Sequence, residues 1–412
     1  MDNQSFGKLQ VTVHSDADSR PIANADIHIA FSDSPESDVA DIKTDDIGRS
    51  PEIELPAPPI EYSLEPVAER PYSRYTVTVT APGFETVEVD GTAILPDVLA
   101  IQPIRMLPST IEPDSEELFV ILPHTLYYEY PPKIAEDEIK PVGESGEIVL
   151  DRVVIPEYVV VHDGPPSDAS AQNYYVRYRD YIKNVASSEI YATWPQAAIY
   201  ANILAIMSFT LNRVFTEWYR NKGYNFTITS STAFDHKWMP GRNIYDTINT
   251  AVDGIFNNYL SRPGVLQPIL TQYCDGKRVT CPNWMSQWGS KDLAEQGYDA
   301  IGILRYYYGS NMYINSTDEV AGVPSSWPGS NLTIGSRGNS VLQMQRQLNV
   351  IADVYSRIPK IAEDGVFGQG TADAVRAFQE IFSLPATGIV DFPTWYKISE
   401  IYVGVSRIAE LV

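Results

Sequence analysis

The stretch YIKNVASSEIYATWPQAAIYANILA, Tyr181 to Ala205, decides how the middle of this 412-residue chain is read. At helical spacing Ile182, Val185 and Ala186 form an apolar stripe, and the next position on it is Glu189, a carboxylate where a core side chain belongs. Beyond it, Thr193 is a candidate N-cap and Pro195 suits a first turn. The helix they open carries Ile199, Ile203, Met207, Leu211, Val214 and Trp218 on one face. Its apolar run, Ala197 to Leu211, includes Asn202 and is too short to span a bilayer, so it reads as a core helix. A further helix is predicted over about 243–259, and the period stays helical from about 174 to 308.

A lone glutamate on an apolar stripe most often sits at a helix end and swings into solvent. The functional alternative is partial burial, which disfavours the ionised form and keeps a proton available for donation near neutral pH. Cleavage of a glycosidic bond needs such a proton on the leaving oxygen.

Toward the N-terminus the period is two: Leu9, Val11 and Val13; Ile27 and Ile29; Tyr75, Val77 and Val79; Val87 and Val89. With the DIGRS and APGF turns between them, these predict antiparallel strands in a small β-sandwich over 1–110. Between Ile111 and Asp163 thirteen Asp or Glu face only three Lys or Arg, among prolines such as Pro131 and Pro132. That composition predicts an extended, accessible connector over 111–166, the kind of segment proteases cut.

Past a central unit over 167–315, the Ser, Pro and Gly of NSTDEVAGVPSSWPGSN mark a linker over 316–330. Residues 331–412 then read as a three-helix bundle. Val341, Met344, Gln345 and Leu348 lie on one helix, and Thr371 is a candidate N-cap for another carrying Ala374, Val375 and Phe378. The fold class expected is therefore α+β and multidomain.

A net charge of -23 repels nucleic acid and anionic membrane and leaves no basic stripe for a phosphate backbone. Met1 to Gly7 has neither a basic n-region nor an apolar h-region, so no conventional secretory signal is expected there. The two cysteines, Cys274 and Cys281, are compatible with a local disulfide or free thiols, or, with His236, with a weakly signalled zinc site. No other cofactor is indicated.

Three resemblances add to this reading. GKLQVTVHSDADSRPIANADIHI with YTVTVTAPGFETVEV resembles transthyretin-like, carboxypeptidase-regulatory β-sandwich modules. The opening stretch, together with MSQWGSKDLAEQGYDAIGILRYYYG from Met285 to Gly309, is similar to the stage II sporulation protein D (SpoIID) catalytic domain, a mixed α/β unit. IGSRGNSVLQMQRQLN through TGIVDFPTW resembles the peptidoglycan-binding helical domain. Taken in order, the architecture resembles the spore cortex-lytic enzymes of clostridial-type spore formers.

That resemblance implies a lytic transglycosylase of spore-cortex peptidoglycan. Glu189 would be its single acid–base group, and a subtilisin-like germination protease would activate the precursor within 111–166. The protein would reside in the spore, with no nucleic acid or membrane partner. Ser286, Gln287, Trp288 and Tyr307 are candidate glycan contacts, with core packing the alternative for the aromatics. Where many SpoIID-type domains carry an arginine on the long helix, this sequence has Met207, and Arg213 two turns on is the candidate substitute. Competing readings are a non-catalytic wall-binding or amidase-enhancing protein and a hydrolytic muramidase using the same glutamate.

Overall fold

The computed structural model describes residues 5–109, 116–140, 150–323 and 326–406. Within it the chain is mixed α/β, with several sheets and a helical C-terminal region. Strands β1 (Ser5–Ser15), β2 (Asp26–Phe31), β3 (Ser34–Lys43) and β4 (Ile53–Ala57) are followed by the short helix α1 (Glu61–Leu64). Strands β5 (Ser73–Thr80), β6 (Thr86–Ile94), β7 (Leu99–Met106) and β8 (Glu116–Val120) complete the first unit.

The period-two residues are the reason these segments pair. Leu9, Val11, Val13, Ile27, Ile29, Tyr75, Val77, Val79, Val87 and Val89 are each at most 1% exposed, while their neighbours face outward. One sheet runs β3-β2-β5-β6-β8 and the other β4-β1-β7. β6 touches β1, β4 and β7 across the core between them. Two pairings depart from the antiparallel expectation: β1 with β7, and β6 with β8, are parallel. Each joins strands that are not consecutive in the chain, so no hairpin constrains their direction.

The second unit begins with β9 (Tyr158–His162) and β10 (Asn173–Arg177), then helices α2 (Tyr178–Glu189) and α3 (Gln196–Phe215). β11 (Ile228–Thr229) pairs parallel with β9, and β12 (Ile244–Tyr245) leads into α4 (Asp246–Ile255). β13 (Asn258–Ser261), β14 (Tyr273–Cys274) and β15 (Met285–Ser286) precede α5 (Gln287–Glu295), α6 (Ala300–Tyr308) and β16 (Tyr313–Ser316). α3 is long and apolar enough to cross a membrane, yet 89% of its most apolar window is buried inside the protein, as a core helix requires.

Two local expectations are corrected here. Thr193 does not cap α3, because its hydroxyl bonds Ser63 Oγ at 2.8 Å and Pro195 is the capping residue. The helix expected over 243–259 is the shorter α4, because its ends are drawn into β12 and β13.

β12 joins the two units by pairing with β7, extending the first unit's smaller sheet to β4-β1-β7-β12. Asn243 closes the joint by accepting from Ala93 N at 2.9 Å and donating to Ala93 O at 3.0 Å. Gly241 is forced beside it: φ is +73°, and a Cβ there would lie 2.6 Å from Phe119 Cβ.

The acidic segment departs most from expectation. Rather than a free connector, its described part packs. β8 joins a sheet, and Ile121, His124 and Lys140 are at most 4% exposed. Its carboxylates find partners that chain order hides: Glu136 on Arg213 and Lys140, and Glu138 on Arg262. Further on, Val153 and Ile155 are buried, and β9 lies in a sheet. Residues 111–115 and 141–149 of the expected cleavage region lie outside the described residues.

Helices α7 (Asn339–Ala352), α8 (Gln369–Ile381) and α9 (Phe392–Ser406) form the C-terminal region. Val341, Met344, Leu348, Ala374, Val375 and Phe378 fill its core at no more than 1% exposure. Gln345 is polar because it ties a turn, accepting from Gly365 N at 2.8 Å and donating to Val366 O at 3.0 Å. Thr371 is not an N-cap; it lies inside α8, whose capping residue is Gly368.

Trp395, 2% exposed and edge-on to Trp327, is the largest side chain in this core. Trp395→Ala is expected to cost about 3–5 kcal/mol of this unit's stability, read by urea unfolding of the C-terminal helices. The unit docks through ion pairs from Arg357 to Asp45 and Asp46 and from Arg179 to Glu400.

Candidate active site

Glu189 is the last residue of α2, and its side chain is 3% exposed. The three apolar residues before it on the stripe are fully buried, so helical periodicity carries the carboxyl inward with them. Lys237 N donates to Oε1 at 2.6 Å, and Tyr273 Oη donates to Oε2. Gln287 Nε2 holds the Glu189 carbonyl at 3.0 Å, which ties the start of α5 to the end of α2.

Burial pushes the Glu189 carboxyl above its ordinary range, against the opposing effects of Lys133, the Lys237 amide and the Tyr273 hydroxyl. Its place at the negative end of the helix dipole acts in the same direction as burial. The group therefore sits in a cavity of about 240 Å³ with its protonated form favoured relative to a free glutamate.

The cavity walls come from four places: Thr125 and residues 128–133, Thr232, the Tyr273–Val279 loop, and Gln287. Two other carboxylates line it. Asp275 is committed to its own loop, accepting from Lys277 N at 3.1 Å, Val279 N at 2.9 Å and Arg278 Nε at 3.0 Å. Glu129 comes from the acidic segment.

The other predicted site residues divide. Gln287 lines the cavity beside Glu189. Ser286 caps α5, accepting from Gly289 N at 2.9 Å, and a Cβ on Gly289 would lie 2.1 Å from Tyr307 Oη. Ser286 and Tyr307 therefore brace the helix behind the cavity wall rather than line the cavity.

Trp288 is a core aromatic, 3% exposed, packed against Tyr191 and Trp194. Arg213 is corrected from glycan contact to structural cation. Its side chain is fully buried, with Nε on Asp235 at 2.7 Å and Nη1 and Nη2 on Glu136 at 3.0 and 2.5 Å. Every guanidinium nitrogen is thus spoken for, and a ligand could reach it only by breaking that network.

The zinc alternative does not fit these residues. Cys274 and Cys281 are joined in a disulfide, which leaves no thiolate to ligate. His236 is buried between Phe209 and Tyr273, with Nδ1 3.0 Å from Tyr181 Oη. Among the described residues no group of three His, Cys, Asp or Glu is placed to hold a metal.

The disulfide closes a loop of sequence separation 7 that carries Asp275, Arg278 and Val279 to the cavity. Replacing both cysteines by serine is expected to cost about 2–3 kcal/mol of that loop's stability, seen as faster amide exchange over 275–281.

Three contributors had no signal in the sequence. Tyr273 and the Lys237 amide meet Glu189 from separations of 84 and 48 residues. Lys133 lies 4.8 Å from the Phe209 ring centroid and 5.2 Å from that of Tyr273, donates to Asp235 O, and is pulled down to about 8, chiefly by burial.

Residues 337–398 match the family model of a peptidoglycan binding domain, so the C-terminal helical region is a peptidoglycan-binding domain. No curated protein matches the chain. Among solved structures, the Bacillus anthracis TIE protein is 13% identical over 25% of this chain and 17% of its own, with a TM-score of 0.18. Chlorocatechol 1,2-dioxygenase from Pseudomonas putida is 16% identical over 29% of this chain and 61% of its own, with a TM-score of 0.17. Catechol 1,2-dioxygenase from Acinetobacter sp. ADP1 is 15% identical over 28% and 59%, with a TM-score of 0.18. The chain thus spans less than two thirds of each of those proteins, and likenesses this slight bear on neither fold nor function.

Proposed function

We propose that this protein is the precursor of a spore cortex-lytic enzyme, a lytic transglycosylase acting on the bond between N-acetylmuramic acid and N-acetylglucosamine in peptidoglycan. On this reading the first unit is a transthyretin-like sandwich that serves as a pro-domain, and the central unit is a SpoIID-type catalytic domain. The protein acts in the spore at germination, after a subtilisin-like protease has cut it.

The observation that carries the reading is Glu189: a buried carboxyl with a raised pKa at the floor of a cavity, in a chain that also holds a peptidoglycan-binding domain. Glu189 gives its proton to the glycosidic oxygen as the bond from muramic C1 breaks, and the N-acetylglucosamine leaves with a free 4-hydroxyl. The muramic 6-hydroxyl then attacks C1 and returns its proton to the Glu189 carboxylate, which closes a 1,6-anhydro ring and resets the enzyme. A single carboxylate serves both steps because the nucleophile belongs to the substrate. Of the two other cavity carboxylates, Asp275 is engaged in its own loop and Glu129 lies on the acidic segment that the protease would cut, which favours this over a hydrolytic muramidase, whose water needs some second group.

The test is digestion of purified cortex sacculi by the protease-treated chain, with masses read from the released muropeptides. Ends one water lighter than reducing ends are expected. Reducing ends would replace this reading with a muramidase, and no release at all would leave a wall-binding protein.

A further inference from the structure

We propose that the strap from Thr125 to Ile134 occupies the groove a glycan strand would take, with the Lys133 side chain as a plug beside Glu189, so that the intact chain is held idle by its own backbone. The identity of the groove's external ligand rests on the reading above. The occupancy rests on geometry.

Tyr128, Glu129, Tyr130, Pro131, Pro132 and Lys133 supply six of the fifteen residues lining the Glu189 cavity. A wall contributed so heavily by a separate strand of chain is an occupant as much as a wall. The strap opens with a turn over Thr125–Tyr128, runs on through the consecutive Pro131 and Pro132, which favour an extended backbone, and is gripped mainly through its backbone. Arg278 Nη2 donates to Thr125 O at 2.6 Å, Thr232 Oγ1 to Pro131 O at 2.9 Å and Gln272 Nε2 to Ile134 O at 2.7 Å. Ala233 O accepts from Ile134 N at 2.7 Å. Hydroxyl, amide and guanidinium donors with a carbonyl acceptor are also what a chain of sugar hydroxyls and N-acetyl groups would meet.

Both ends of the strap are tethered. Upstream, β8 is paired into the first unit's sheet. Downstream, Glu136 is held by Arg213, and Glu138 accepts from Arg262 at 2.6 and 2.7 Å. Between those tethers Lys133 reaches in over Phe209 and Tyr273. Its positive charge favours the Glu189 carboxylate, the form that cannot donate a proton. The strap thus opposes the reaction by filling the space, and its cation lessens, without reversing, the preference of Glu189 for the protonated form.

The experiment uses full-length chains. Affinity for chitotetraose is measured by calorimetry in Glu189→Gln and in Glu189→Gln with Lys133→Ala and Tyr130→Ala, the peptidoglycan-binding domain being the same in both. Removing the plug is expected to tighten binding by about tenfold or more, since affinity scales with the fraction of open grooves. Equal affinities overturn the proposal.

A second measurement needs no variant: acetylation of the intact chain should label Lys133 about tenfold more slowly than Lys43, whose side chain is 61% exposed. Equal labelling also overturns it. Failure of the functional reading looks different. If tighter binding and slow labelling are seen while neither the protease-treated chain nor Lys133→Ala/Tyr130→Ala cleaves sacculi, the occupant stands and the transglycosylase does not. If the treated chain cleaves while plug removal changes neither binding nor cleavage, the reverse holds.

Discussion

Replacing Glu189 by glutamine in the protease-treated chain is expected to lower muropeptide release by about 10³-fold or more, because loss of a general acid alone removes roughly 10²–10⁴ and here one group serves both proton transfers. Binding to sacculi should be retained, since the peptidoglycan-binding domain lies in a separate helical unit. The fold should also survive: glutamine keeps an oxygen for the Lys237 amide, and the Tyr273 hydroxyl can reorient. A variant that folds, binds and still releases anhydro ends at more than a tenth of the parent rate would remove Glu189 from the mechanism.

The pH dependence follows from the same group. Donation requires the protonated form, so the rate should fall as pH rises through the elevated Glu189 value. Because that value is raised in the folded state, the fold binds the proton more tightly than the unfolded chain does. The associated stability is complete below the ordinary glutamate range and is lost as pH climbs through the raised value. In Glu189→Gln both dependences should vanish, which a rate profile and a set of melting curves at several pH values would check.

Arg213→Ala should produce the largest loss of stability in the central unit, about 3–5 kcal/mol, because it strips the cation from two carboxylates at once. Asp235 is the critical one. Its side chain is fully buried, and although Tyr219 Oη, Thr229 N and Thr229 Oγ1 also donate to it, those are neutral groups. Its charge would be left in a low-dielectric interior with no cation bonded to the carboxylate, Lys133 reaching only the Asp235 carbonyl. For a unit of this size the penalty corresponds to a melting decrease of about 10 °C, followed by the near-ultraviolet signal of the packed aromatics. A decrease under about 2 °C would show that the network contributes little and that Arg213 is free for another role.

Much of the site's backbone was legible. The apolar stripe ending in Glu189 announced both a helix and an anomaly, and the anomaly is real: the carboxyl is buried rather than swung into solvent. Gln287 was legible from its motif. Arg213 was misjudged because the resemblance put an arginine on the long helix near Met207 and Arg213 stood in for it, while its actual partners, 22 and 77 residues away, left no mark in the local pattern. Trp288 was misjudged because an indole buried against Tyr191 and Trp194 has the same sequence context as one facing a sugar. The acidic segment was misread most. Counting its charges gave a solvated connector, whereas Glu136 and Glu138 are matched one by one to arginines on another unit.

What the sequence by itself determined is whatever depends on neighbours within a turn or a pleat. That includes the alternating strands of the first unit, the core helix α3, the helical C-terminal unit and the place of Glu189 at the end of an apolar stripe. What only the tertiary structure decided is the company that glutamate keeps: Tyr273, the Lys237 amide, Lys133 and the strap that carries it. Periodicity records which face of an element turns inward, because that is a local property of backbone geometry. Which charge meets which, and which segment fills a groove, is set by contacts between residues dozens of positions apart, and no local pattern encodes them.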